Sequence, residues 1–355
     1  MQLYIIATIL LFIFAFNVDS DYYKPKWSLI WSLFSLYLGV LVGRSTSLPI
    51  GMLCSYMSIA AIYNATVWHF SYGNMPANPQ ASQEMLGTVM STWAMFGALL
   101  LIPKSVPDSA IEAMPYLIIL SSLWTFLKPM FWCERAQIRV AVYGFGANPS
   151  TQATLLGLMC CYALQDATPI TYAAVMLGGL AILSTRAAIG LAAYLVGVFI
   201  YFLPYSLVAS PIVAVILTVK YFKDRSFFSM SGRRDIWKFA ISESKPFWSP
   251  WRGLGPGTYR YMMPFIQAVK KVTLTTEGAF PLWAHNDLLQ AVLELGVVGM
   301  ILIAVIVGEA VGLSLSDKGA LAFIACWLVN SLGNFNNHLA PDTLLTIFFL
   351  RKIHG

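Results

Sequence analysis

Apolar residues run through the chain in long blocks separated by short polar joints. From the opening MQLYIIATILLFIFAFN onward, blocks of about 17–25 apolar residues recur, the length an α-helix needs to cross the hydrocarbon of a bilayer. They predict spans near 2–17, 27–43, 47–68, 85–103, 112–132, 151–165, 168–185, 187–203, 205–222, 287–310, 319–334 and 341–350, about twelve helices in all. The alternating ten-residue segments of an outer-membrane barrel are missing from the pattern. The expected fold is therefore all-α, a polytopic membrane helical bundle. The first block lacks a basic n-region and a small-x-small cleavage site, which favours a retained helix over a signal peptide.

One long polar region interrupts the blocks, and it divides the chain into an N-terminal transmembrane bundle (1–222), a loop (223–286) and C-terminal transmembrane helices (287–355). Inside the loop, RRDIWKFAISESK sets Ile236, Phe239 and Ala240 at i, i+3 and i+4, predicting a short amphipathic helix lying on the membrane. WSPWRGLGPGTYR then breaks into Gly/Pro turns. The segments 64–84 and 133–150 read as shorter surface loops.

Composition agrees with the pattern: 58% of residues are hydrophobic and 11% charged, with a mean hydropathy of +0.69, against roughly 25% charged in a soluble domain. The net charge of +6 is concentrated in the loop, which holds ten basic residues against four acidic ones. Because the remaining basic residues are scattered among spans, nucleic acid is not an expected partner. Of the five cysteines, Cys54, Cys160, Cys161 and Cys326 lie in apolar runs and Cys133 at a segment edge, with no CxxC spacing. Counting spans from a cytoplasmic N-terminus puts the basic loop outside the cytoplasm, and loops of roughly sixty residues escape the positive-inside rule. An external basic loop suits an anionic ligand.

Candidate chemistry gathers around PLWAHNDLLQAVLELG. His285, Asn286 and Asp287 stand directly before a long apolar block, and helix continuation sets Asn286, Gln290 and Glu294 at i, i+4 and i+8 on one face. Ionisable residues at such a depth mark functional sites or interhelical contacts. The plainer readings are an interfacial structural role for His285 and interhelical hydrogen bonds for Gln290 and Glu294. Arg186, between two apolar blocks, and Arg233, at the start of the amphipathic helix, each offer a planar fork that suits phosphate. Their plainer readings are snorkelling to the headgroups for Arg186 and a solvated loop charge for Arg233. The glycines of RGLGPGTY, Gly255 and Gly257 among them, allow a tight turn near a ligand.

These residues carry a resemblance. AHNDLLQAVLELGVVGM resembles the HNDxLQxxxExG signature of the O-antigen ligase and O-antigen polymerase superfamily, which also includes bacterial protein O-oligosaccharyltransferases. SGRRDIWKFAI and WRGLGPGTY resemble its SGRxxxW and GxGxGxF segments, STRAAIGLAAYLVG its SRGA-type span, and YGFGANPSTQATLLGL its GxFxNPN element. The likeness covers about residues 140–300, in the family's order. Thr185-Arg186-Ala187, Ser150 and the displaced aromatic Tyr259 depart from the family pattern.

The resemblance implies a GT-C-type glycosyltransferase of the bacterial inner membrane, multi-pass, with its active site facing the periplasm. It would move a glycan from undecaprenyl diphosphate to an acceptor hydroxyl, with inversion and no covalent intermediate. His285 is then the general base, Arg186 and Arg233 hold the diphosphate, and Asn286, Asp287, Gln290, Gly255 and Gly257 bind substrate. Neither a metal nor any other cofactor is expected, because the chain's few carboxylates are scattered along it. The acceptor is another lipid-linked glycan, lipid A core or a protein hydroxyl, and all three share the donor and the motifs. Membrane lipids are the remaining partner. The rival from another class is a transporter or flippase for a lipid-linked or anionic substrate, which also uses arginines and buried polar residues.

Overall fold

The computed structural model describes residues 37–71, 97–103, 105–132, 149–203, 205, 231–245, 248–271, 284–334 and 340–354. The expected span 2–17, all of 205–222 but its first residue, most of 27–43 and 85–103, and the loop residues 72–84 and 133–148 lie outside them. The described residues are helical, without a strand among them. The helices are α1 (Leu48–Ser71), α2 (Ser105–Trp132), α3 (Pro149–Ala163), α4 (Pro169–Thr185), α5 (Ala188–Tyr201), α6 (Ser231–Ser244), α7 (Thr258–Lys270), α8 (Asp287–Leu313), α9 (Lys318–Ser331) and α10 (Ala340–Ile353). Two of them, α2 over Ser105–Lys128 and α8, are long and apolar enough to cross a membrane. Leu48–Ile62 in α1, together with α4, α5 and α9, are apolar but shorter.

Side-chain caps mark where several of the apolar helices begin. Thr168 caps α4 by accepting the Thr171 N–H, with Pro169 in the first turn where its missing N–H costs nothing. Asp317 caps α9, accepting from Gly319 and Ala320 at 2.8 and 3.0 Å. The loop expected from residue 64 begins later, since α1 continues to Ser71, two residues short of Gly73.

Helix α3 is the axis of the main core. Nearly all of it is buried, against α2, α4, α5 and α9. Small residues let the helices close on it: a Cβ on Gly190 of α5 would lie 3.0 Å from the carbonyl carbon of Ala153. Although α9 and α10 are last in the chain, Phe323 and Phe349 stack within this same core, with ring centroids 4.5 Å apart.

The polar loop folds into a second small core. Ala240 of α6, Leu254, Tyr259, Met262, Met263 and Ile266 of α7, Ala284 and Leu293 of α8 form one buried cluster. The apolar face read in α6 is real, with Ile236 and Ala240 buried, but α7 and α8 cover it, so it does not lie bare against a membrane surface. Helix α7 went unread in the sequence, although Tyr259, Met262, Met263 and Ile266 recur at i, i+3, i+4 and i+7.

Helix α8 is not the continuous span its hydropathy suggests. At Gly296 the backbone turns to φ 62, ψ −162, ending one helical piece after Leu295 and starting another. The turn 250–255 fills the break. Val297 N–H donates to Pro250 O and Val298 N–H to Trp251 O, while Leu293 O and Glu294 O accept from Leu254 and Gly255, each at 2.7 Å. From α1, the Tyr56 hydroxyl donates to Leu295 O. The turn and Tyr56 thus supply partners for amides and carbonyls that the kink frees, as buried backbone requires.

Candidate active site

His285 occupies a junction held from four directions. Asn286 caps α8, its Oδ1 accepting the Leu289 N–H at 2.8 Å. Next to it, Asp287 donates its N–H to Asn334 O at 3.2 Å, tying the junction to the end of α9. On the other side Ala284 is fully buried; its N–H donates to Gln290 Oε1 at 3.1 Å, and its carbonyl accepts the Trp237 indole N–H at 2.7 Å. Between these fixed peptides His285 takes φ 52, in the left-handed region. Histidine is among the few residues that tolerate that region, and where side chains are held there the surroundings impose it, commonly at functional sites.

The same anchor delivers Arg233. Positions i and i+4 of a helix share a face, so Trp237, bonded to the residue before His285, carries Arg233 to the imidazole. The guanidinium is half-buried and its charge acts on the ring, whereas its neighbour Arg234 is exposed. Burial first, and then the Arg233 charge, hold His285 down at about 4, well under the ordinary 6.5. Burial also lowers Arg233. At neutral pH the pair is a neutral imidazole, able to accept a proton, beside a cation able to bind an anion.

Arg186 caps α4 at φ 58 and is exposed. Three residues on, in α5, the side chain of Ile189 abuts Gly333, the neighbour of Asn334. Arg186 therefore stands at the end of the bundle where His285 lies. Among the described residues only Arg186, Lys271 and His285 combine a side chain with positive φ, so two of the three are residues singled out in the sequence.

Asn334 joins further elements to this end. Its Nδ2 donates to Thr154 Oγ1 at 2.6 Å and to Ser150 O at 3.4 Å, at the start of α3, while Thr154 donates to Asn330 Oδ1 at 3.1 Å. Asp342, at the start of α10, is buried within electrostatic reach of Asp287. Asn330 and Asn334 were missed in the sequence, although NSLGN sets them at i and i+4 after an apolar run.

Gly255, Gly257 and Gln290 have partners inside the protein. The turn 253–259 carries positive φ at Gly253, Gly255 and Gly257, as a close backbone approach requires, and what approaches is α8. Glu294 is buried in the turn's mouth, accepting the Gly257 N–H at 2.9 Å and the Tyr259 N–H at 3.0 Å. Gln290 Nε2 donates to the same carboxylate at 3.3 Å. The polar stripe of α8 thus faces loop backbone, where interhelical bonds had been the plain expectation. Among the described residues no group of three or more His, Cys, Asp or Glu side chains is placed to hold a metal ion.

Compared with protein-family models and with curated proteins, the chain matches none.

Proposed function

We propose that the chain is a multi-pass inner-membrane glycosyltransferase, of the kind its motifs resemble, that moves a glycan from undecaprenyl diphosphate to an acceptor hydroxyl. The observation that carries this reading is the pairing of His285, kept neutral, with the half-buried Arg233 at one fixed junction. Supporting it, the four stretches that carry the resemblance meet at one end of the bundle: Ser150, Arg186 with Ile189, Arg233 to Tyr259, and Ala284 to Gly296.

In this mechanism the acceptor O–H gives its proton to a ring nitrogen of His285 as its oxygen attacks the anomeric carbon. The bond from that carbon to the diphosphate breaks, its electron pair leaves with the diphosphate oxygen, and configuration inverts. Arg233 and Arg186 meet the charge that develops on the leaving group. The imidazolium then returns its proton to water. The finer architecture belongs to the same proposal: about twelve spans, a GT-C-like bundle and a loop 223–286 facing the periplasm.

The test is transfer by the purified protein from a lipid-diphosphate glycan to oligosaccharide, lipid A core or serine-peptide acceptors, in excess EDTA. The expected result is an extended acceptor with stoichiometric release of undecaprenyl diphosphate. Transport of the intact donor across a vesicle without bond cleavage would favour a flippase instead. For orientation, a Lys245→Cys variant in a Cys133→Ser background should react with an impermeant thiol reagent from the periplasmic side. Lys245 suits this because it is exposed, whereas the adjacent Ser244 is buried.

A further inference from the structure

The glycine-rich turn has the form of an anion site, yet the acceptor that fills it is part of the protein, the side chain of Glu294. Every backbone N–H from Gly253 to Tyr259 has an internal acceptor: Ser249 O for Gly253, Leu293 O for Leu254, Glu294 O for Gly255, Gly255 O for Thr258, and the Glu294 carboxylate for Gly257 and Tyr259. No amide of this turn is left to cradle a diphosphate. The carboxylate that fills it also accepts from Gln290, whose Oε1 in turn accepts the Ala284 N–H, one residue before His285. One continuous path of hydrogen bonds therefore runs from the turn, through Glu294 and Gln290, to the peptide that sets the histidine.

We infer that Glu294 is a positioning residue for His285: it locks the turn 253–259 onto α8 and, through Gln290, fixes the backbone on which the imidazole is carried. The inference rests on the glycosyl-transfer reading only for what the histidine does, and not for how it is held. A carboxylate is the group the position requires, because it accepts at both oxygens. Glutamine would turn an N–H₂ toward one of two amide N–H groups and leave a donor facing a donor. The diphosphate grip accordingly falls to arginine side chains, so substrate affinity and histidine placement are separable.

The test reads the ring directly. Nuclear magnetic resonance of histidine-labelled protein in detergent, with the His285 signal assigned by its loss in His285→Gln, gives the ring's titration in wild type, Glu294→Gln and Gln290→Leu. Gln290→Leu breaks the link to Ala284 while leaving both turn amides on Glu294, so it serves if Glu294→Gln fails to fold. The expected result is a midpoint that moves up from about 4 toward 6.5 as the freed segment admits water to the ring. In the transfer assay kcat should fall about tenfold or more with the donor KM changed less than about twofold. An unmoved His285 titration in the folded variants overturns the positioning role. Full transfer by His285→Ala, with the titration shifts present, overturns the enzymatic reading and leaves the positioning intact.

Discussion

The Trp237 indole donates its N–H to the carbonyl of Ala284 across 2.7 Å, and this one bond brings the amphipathic helix and the histidine together. Trp237→Phe keeps one aromatic ring and removes the second ring with its donor, leaving a buried carbonyl bare at a cost of about 1–3 kcal/mol. If that loss falls on the positioned state, transfer drops roughly fivefold or more while the melting temperature changes little. Steady-state kinetics beside a thermal melt separate the two effects.

The pH profile follows from the position of His285. A base must be neutral to act, and burial with Arg233 keeps this ring neutral down to about 4. Free-enzyme activity, read as kcat/KM, should therefore stay level from pH 8 to about 5 and fall below that. Arg233→Gln removes a positive charge, which makes protonation easier and moves the acid limb to higher pH. Burial remains, so the limb stops short of about 6.5. The donor's diphosphate brings negative charge, so the limb of kcat should lie above that of kcat/KM. A wild-type limb already at 6.5 would mean that the ring is neither buried nor beside Arg233 in solution.

Arg233 and Arg234 are adjacent in sequence and unlike in place, one half-buried at the imidazole and the other exposed. On the proposed function, each charge-assisted bond to the diphosphate would contribute about 1.5–3 kcal/mol, so Arg233→Lys and Arg186→Lys should each lower kcat/KM by roughly ten- to a hundred-fold. Arg234→Ala should be mild. The Arg186/Arg233 double variant should lose less than the product of the single losses if both act on one diphosphate as proposed. Equal small losses at all three positions would reduce the arginines to a general attraction for anionic lipid.

Gly296 tests the architecture rather than the chemistry. At φ 62 an alanine is strained by about 1–3 kcal/mol, and its Cβ would lie 2.5 Å from Gly253 N. Gly296→Ala should therefore lower the melting temperature and loosen the turn from α8, as limited proteolysis at residues 250–257 would report. Unchanged melting and protease resistance would argue for a straight α8.

Much of this was legible in the sequence, and the remainder has identifiable causes. Hydropathy located α1 to α5 and α8 to α10 because their apolar runs are long, and caps such as Thr168 and Asp317 mark where α4 and α9 begin. Ile236, Phe239 and Ala240 announced the buried face of α6, but a periodic pattern does not say what covers a face, and α7 and α8 proved to be the cover. The break in α8 was hidden because Gly296 sits among Leu, Val and Met, where hydropathy is blind to φ. Glu294 looked like a residue for another helix since its spacing from Gln290 fixes only a face, whereas its partners are amides some 35 residues away in the chain. His285 and Arg233 were singled out through residue type. Their meeting depended on Trp237, a long-range contact that no local pattern encodes.

The central claim is that His285 accepts the proton of the attacking hydroxyl, and the most direct measurement is single-turnover transfer by His285→Ala. Purified wild type and variant, matched in melting temperature, would be mixed with a lipid-diphosphate glycan and acceptor, following undecaprenyl diphosphate and extended acceptor together. The account predicts that the variant still binds the donor with near wild-type affinity, since the arginines are intact, while the rate of transfer falls by about 10²–10⁴. Transfer by the variant at close to the wild-type rate would contradict it.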